Sequence, residues 1–255
     1  MATAVRVTVD GAIARIALSR PERKNAFDAD LIGQITAAVR DIRSSIRAVV
    51  LQSEGDTFCA GADVEWMRGM ADYSLEQNIA DSKALAGMFR ALYDLEMPLI
   101  VRVQGPAIGG GAGLVAVADI AIASTEATFA FTETRLGIIP AVVSPYVVRK
   151  VGPARATALF VTGSRIEAKR ALEIGLVERL VEPSDLDAAV GRVLDAILSG
   201  GPKAVNAAKR LVREVEGRPL DEVADLTVKR IADIRVSPEG QEGLRAFLER
   251  RDPSW

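Results

Sequence analysis

Residues 107–123, AIGGGAGLVAVADIAIA, constrain this chain more than any other stretch. The run is the most apolar in the sequence, yet Gly109, Gly110, Gly111, Gly113 and Asp119 interrupt it. It is too short and too rich in glycine to span a membrane, and it reads as buried core. A strand over 100–103 leads through Gly105 into glycines that open an apolar helix. The first N–H groups of a helix have no partner inside it and carry partial positive charge. Here no side chains shield them, so the spot suits an oxyanion. The same glycines would equally serve a close helix–strand contact and nothing more. A phosphate loop is not supported: Leu114 stands where G-x-G-x-x-G needs its last glycine, and no G-x-x-x-x-G-K-[ST] occurs.

Upstream, residues 5–9 and 13–18 alternate apolar and polar side chains about Asp10-Gly11, the signal of a hairpin. Asp28 caps a predicted helix running to about residue 43, with Leu31, Ile32, Ile35 and Val39 on one face. Residues 47–52 read as a buried strand, and 74–95 as a long helix that stops before Pro98. Strands are expected over 98–103, 119–123 and 128–131. From about residue 144 the pattern turns mostly helical, with segments near 154–160, 165–174, 186–198, 203–215, 220–234 and 238–250. This strand–helix alternation predicts an α/β fold. The 255 residues, 49% hydrophobic and 26% charged, suit a soluble globular chain of one large domain, or a core domain with an appendage. The boundaries expected are a core over 1–198 and a helical region over 199–255. A formal net charge of −2 gives no electrostatic ground for a nucleic-acid or membrane partner. The N-terminus, MATAVRVTVDG, has no basic segment before an apolar run, so a cytoplasmic protein is expected.

The chain contains no histidine and one cysteine, Cys59. That removes Ser–His and Cys–His nucleophiles, His-ligated metals, the commonest general base, and any internal disulfide or cysteine metal cluster. An enzyme of this composition works with carboxylates, backbone groups or lysine, and no metal is expected. A second run of small residues, 58–63 (FCAGAD), follows the buried strand and a polar loop. Two such segments meeting on one oxygen would stabilise a carbonyl-derived anion.

Five stretches carry a resemblance: 18–26 (LSRPERKNA), 58–67 (FCAGADVEWM), 103–123 (VQGPAIGGGAGLVAVADIAIA), 128–140 (TFAFTETRLGIIP) and 160–181 (FVTGSRIEAKRALEIGLVERLV). In this order, and over nearly the whole chain from residue 4, they resemble the crotonase (enoyl-CoA hydratase/isomerase) superfamily. Gly113 together with 141–148 (AVVSPYVV) is most similar to its methylglutaconyl-CoA and isohexenylglutaconyl-CoA hydratase-like branch, whose substrates are branched acyl-CoAs with a distal carboxylate.

The resemblance implies a crotonase-like ββα spiral core with a C-terminal helical trimerisation region. It implies an acyl-CoA thioester as substrate and no separate cofactor, coenzyme A being part of that substrate. By position, the N–H groups of Ala62 and Gly110 hold the thioester oxygen as it becomes enolate-like. Ala60, Asp63 and Val64 fall where the adenine end of CoA is held, Arg23 and Lys24 are candidates for its phosphates, and Trp66, with Met67 and Met70, for the acyl pocket. The family's hydratases use two glutamates: the first falls on Gly113 and is absent, the second falls on Glu133. Glu133, between TFAF and LGIIP, is expected in an apolar pocket with a raised pKa. Ser144 and Tyr146 are candidate water ligands, and Arg68 and Arg135 candidate partners for a substrate carboxylate. Cys59 is expected as a small buried residue. Phe247 and Arg250, within 244–251 (LRAFLERR), match the terminal helix that covers a neighbour's site, so a trimer or dimer of trimers is expected. The activity implied is a lyase that adds water to, or removes it from, a 2-enoyl-CoA. The alternatives are a Δ3,Δ2-enoyl-CoA isomerase with Glu133 as sole proton shuttle, and a non-catalytic acyl-CoA binding protein.

Overall fold

The computed structural model describes residues 3–255. β1 (Val5–Asp10) and β2 (Ile13–Leu18) form the expected antiparallel hairpin. Gly11 supplies the positive φ, +55°, that a two-residue loop requires. β3 (Ala48–Ser53), β4 (Leu99–Val103), β6 (Ile120–Ser124) and β9 (Arg179–Val181) add in parallel, giving a six-stranded sheet in the order β1-β2-β3-β4-β6-β9. A smaller sheet pairs β5 (Ala107–Ile108) in parallel with β7 (Thr128–Ala130), which runs antiparallel to β8 (Ile166–Glu167).

Parallel strands of this kind are covered on both faces and read as continuous apolar runs. On one face Val49, Leu51, Leu99, Val101 and Ala121 join the main core. They meet Leu31, Ile35 and Val39 of α1 (Ala29–Arg40), Met88, Phe89 and Leu92 of α3 (Leu75–Tyr93), and the buried helix α4 (Gly110–Val117). On the other face Ala48, Val50, Ile100 and Ile122 pack on Leu186, Val190 and Leu194 of α8 (Leu186–Ser199). Asp28 caps α1 by accepting from Leu31 N–H, and Ser74 with Gln77 forms a capping box at the start of α3.

Three features depart from the sequence reading. A short helix, α2 (Val64–Met70), follows residues 58–63. The segment 165–174 begins as β8 before turning into α7 (Ala168–Glu173), and β9 extends the main sheet between the two helical segments expected at 165–174 and 186–198. Gly152, at φ +80°, separates α5 (Ser144–Val151) from α6 (Pro153–Thr162). The chain ends in α9 (Pro202–Val215), α10 (Leu220–Val236) and α11 (Pro238–Glu249), with α11 packed against the other two. Among the described residues no helix is long and apolar enough to cross a membrane.

Candidate active site

β3 and β4 lie side by side, and the segments leaving their carboxyl ends stay in step. Cys59 and Ala107 form a parallel bridge, with Cys59 N–H donating to the Pro106 carbonyl (3.1 Å) and Ile108 N–H to the Cys59 carbonyl (2.9 Å). Two residues beyond that bridge stand Gly61 (φ +90°) and Gly109 (φ +52°), a backbone region that an L side chain rarely adopts. β5 in turn pairs with β7, and Gly109 N–H donates to Ala130 (2.7 Å), three residues before Glu133. Register therefore delivers Gly61-Ala62, Gly109-Gly110 and Glu133 to one place. A methyl group built on Gly109 would stand 3.2 Å from Glu133 Oε1 and 4.0 Å from the Gly61 Cα.

A third segment pins this arrangement. Phe27 N–H donates to Gly61 (2.6 Å), Asp63 N–H to Phe27 (2.7 Å) and Ala60 N–H to Lys24 (3.0 Å), on either side of Ala62. Asn25, fully buried and left-handed at φ +52°, accepts from Arg20 N–H and donates to the Glu54 and Thr57 carbonyls. Neither Ala62 N–H nor Gly110 N–H has an acceptor among the described residues. Ala62 is exposed, and Gly110 opens α4 with no side-chain cap. Unused donors near a carboxyl group are what an oxygen that gains charge requires.

Glu133 begins a single 3-10 turn, Glu133–Leu136. The fully buried Phe131, edge-on to Phe160, and the bond from Thr134 Oγ1 to the Phe160 carbonyl (2.9 Å) hold that turn in place. Its Oε2 is buried without a hydrogen-bond partner, and burial pushes the carboxyl pKa above its ordinary value, as expected of an acid–base group. Gly113, where the resemblance places a second glutamate, has no room for a side chain. A methyl group there would meet Val143 Cγ1 at 2.3 Å and Phe89 Cζ at 3.1 Å.

The remaining expected residues divide. Ala60 is half-buried and Val64 exposed beside Ala62, while the Asp63 carboxylate caps α2 by accepting from Glu65 N–H (2.9 Å). Arg23, half-exposed, lies between Asp28 (3.9 Å) and Asp63 (3.5 Å); Lys24 is exposed and makes no ion pair among the described residues. Trp66 is half-buried against the main core. Arg68 is paired with Glu65, whereas Arg135 has no ion pair among the described residues. Ser144 and Tyr146 are half-buried; Ser144 Oγ donates to the Ala141 carbonyl, and the Tyr146 ring stacks on Phe89. Cys59 is buried with its thiol pushed up to about 12 by that burial, a space-filler beneath Gly111. Phe247 and Arg250 stand exposed at the end of α11. Asn25, Phe27 and Val143 were not singled out in the sequence. Only Asn25, a residue that tolerates a left-handed backbone inside a polar loop, offered a local signal.

Residues 8–255 match the profile of the enoyl-CoA hydratase/isomerase family. The chain belongs to that family. A short-chain-enoyl-CoA hydratase from Clostridium acetobutylicum is 31% identical over 247 residues, spanning 95% of this chain and 93% of that one. A crotonyl-CoA hydratase from Syntrophomonas wolfei is 30% identical over 243 residues, 94% and 92% of the two chains. The crystal structure of an enoyl-CoA hydratase from Shewanella pealeana superposes with a TM-score of 0.95 at 39% identity, covering 99% of this chain and 96% of that one. The expected crotonase fold is thus the fold observed. Within the enoyl-CoA hydratase/isomerase family, this chain is an enzyme whose α4 lacks a carboxylate at position 113 and has Val143 packed into the space instead.

Proposed function

We propose that this chain hydrates 2-enoyl-CoA thioesters, or runs the reverse dehydration. The thioester oxygen lies between the N–H groups of Ala62 and Gly110, and Glu133 acts as both base and acid. Ionised Glu133 takes a proton from water as the water oxygen bonds to Cβ. The π electrons move through Cα to the thioester oxygen, and the enolate so formed collapses as Glu133 returns its proton to Cα. Burial that raises the Glu133 pKa makes the carboxylate a stronger base toward water. Each backbone donor contributes about 2.7–4 kcal/mol to the enolate-like transition state. What supports the reading is that Glu133 Oε1 and Gly61 Cα both stand close to Gly109, next in sequence to the two N–H groups left without an acceptor among the described residues. The names of the relatives, hydratases of short enoyl-CoAs, agree with it.

One observation favours a second reading. With position 113 closed by Val143 and Phe89, a single carboxylate serves the site, which is all that a proton shift between Cα and Cγ of a 3-enoyl-CoA requires. Supplying 2-enoyl-CoA and 3-enoyl-CoA separately tests the two. Loss of the conjugated thioester absorbance of the first supports hydration. Conversion of the second with the first left untouched replaces it by isomerisation, and thioester binding without turnover of either leaves a binding protein.

The finer substrate reading is a branched acyl group ending in a carboxylate. Arg135, two residues from Glu133 in sequence and free of ion pairs among the described residues, is the candidate we favour over the paired Arg68. For CoA itself, the exposed Lys24 and half-exposed Arg23 take the phosphates, the backbone of Ala60, Asp63 and Val64 takes the adenine end, and Trp66 lines the acyl pocket. The chain works as a trimer or dimer of trimers, assembled through 199–255, in which Phe247 and Arg250 complete a neighbour's site.

A further inference from the structure

α4 is apolar throughout, and its residues 111–117 are buried. Close packing of Gly111 on Cys59 and of Gly113 on Val143 restrains it from the sides, but apolar burial itself is non-directional. Directional restraint comes from the ends. At the Gly110 end the bond from Gly109 N–H to Ala130 fixes the backbone. At the other end three cationic side chains converge. Lys150 of α5 donates to the carbonyls of Ala118 (2.8 Å) and Asp119 (3.3 Å), the two residues that follow the helix. The Asp119 carboxylate accepts from Leu99 N–H (2.7 Å) and pairs with Lys209 Nζ (2.5 Å) and Arg213 Nη2 (3.6 Å), both from α9. The Lys209 side chain is only 8% exposed and also donates to the Met97 carbonyl at 2.8 Å.

A second route joins the same helices. Arg213 lies over the Tyr93 ring, 3.8 Å from its centroid; Tyr93 packs on Tyr146, and Tyr146 stacks on Phe89. Phe89 ends 3.1 Å from the methyl position of Gly113, midway along α4. The C-terminal helix α9 therefore reaches α4 both at its carboxyl end and on its flank.

We infer that Lys209, with Lys150 and Arg213, positions the oxyanion helix: through Asp119, α9 sets the aim of the Gly110 N–H at the opposite end of α4, about 12 Å away. None of the three touches the reacting atoms, so they are positioning residues. The inference rests on the assignment of Gly110 as an oxyanion donor. Donors of this kind act only when held to within about 0.5 Å, and a misplacement of about 1 Å costs on the order of 10²-fold in rate. Because the bond to the oxygen strengthens as charge develops, misaiming harms the enolate more than the bound thioester.

The test is Lys209→Met in the full chain. The expected result is a kcat lower by about 10²-fold with KM changed by less than about threefold. Lys209→Arg, which keeps the charge, should recover most of that loss. Arg213→Gln, at a less buried position, should show the same split with a smaller amplitude, and it carries the test if Lys209→Met fails to fold. Acetoacetyl-CoA supplies a direct readout, because its enolate absorbs in the near ultraviolet. The folded variant should bind it with little loss of affinity yet show a weaker enolate band. An unchanged kcat and enolate band in a folded variant overturn the inference, as does a change in KM alone. If Glu133→Gln retains wild-type turnover, the reading of the site itself is wrong. If Glu133→Gln is inactive while Lys209→Met is fully active, only the positioning role is lost.

Discussion

Glu133 shows how much of the proposed chemistry rests on one side chain. Its Oε2 is buried without a partner, which destabilises the ionised form and raises the pKa above the ordinary 4.5. Two consequences follow in opposite directions. As a base it must be ionised, so kcat/KM should fall on acidification through an apparent pKa above 4.5. As a folded-state group with a raised pKa, it favours the fold below the ordinary carboxylate pKa, and that contribution is lost as pH rises through the raised value. Glu133→Gln should therefore lower turnover by about 10²–10⁴-fold while raising the melting temperature at pH 7–8, a gain that shrinks toward zero near pH 4. Thermal scans at several pH values beside an activity assay check both signs. Asn25 is the counterpart on the structural side, with both amide hydrogens and the carbonyl oxygen of its side chain engaged inside the fold. Asn25→Ala orphans buried carbonyl groups and puts alanine in a left-handed backbone, which should cost about 2–4 kcal/mol in urea denaturation.

Among the elements, α4 is the one whose surroundings the sequence conceals. Adding a methyl group at Gly113 would overlap Val143 Cγ1 at 2.3 Å, an overpacking that should cost about 1–3 kcal/mol. Val143→Ala removes the nearest obstruction, Cγ1, so the double variant Gly113→Ala/Val143→Ala should be more stable than the two single effects summed. A denaturant double-mutant cycle measures that coupling, and strict additivity would show that the two residues do not share the space. The helix and its opening glycines were legible because they are local: an apolar run, a strand before it, and glycines at its start. So were the hairpin at Asp10-Gly11, the cap at Asp28 and the stop before Pro98. Val143 could not be read as the filler of position 113, since thirty residues separate them and only tertiary packing brings them together. β8 and β9 escaped for a related reason. Two- and three-residue strands carry too little periodicity to register, and only their pairing with β7 and β6 makes them strands. The convergence on Glu133 was likewise suggested by motif and not by pattern, because it depends on the Cys59–Ala107 bridge and the β5–β7 pair holding three segments in step.

For the whole molecule, the apolar side chains of the C-terminal helices set the question of assembly. Phe247 is 81% exposed, and Leu248, Leu244 and Val236 also face outward. Several large apolar residues exposed on the last two helices are what a surface covered by another chain would present. The same region grips the core from within through Lys209 and Arg213, so it is anchored at one side and open at the other. Seated on a neighbour, that open side would carry Phe247 and Arg250 toward the neighbour's site, where the exposed Lys24 and half-exposed Arg23 are the cations proposed for the CoA phosphates. Phe247→Glu places a charge on that surface at no cost to the core, since the side chain it replaces is almost wholly exposed. Light scattering should show the wild type as a trimer or a multiple of it and the variant shifted toward a single chain. KM for acyl-CoA should rise with the loss of assembly, while Glu133 and the two backbone donors stay in place within each protomer. A variant that keeps both the mass and the KM of the wild type would mean that α11 neither joins neighbours nor reaches their substrate.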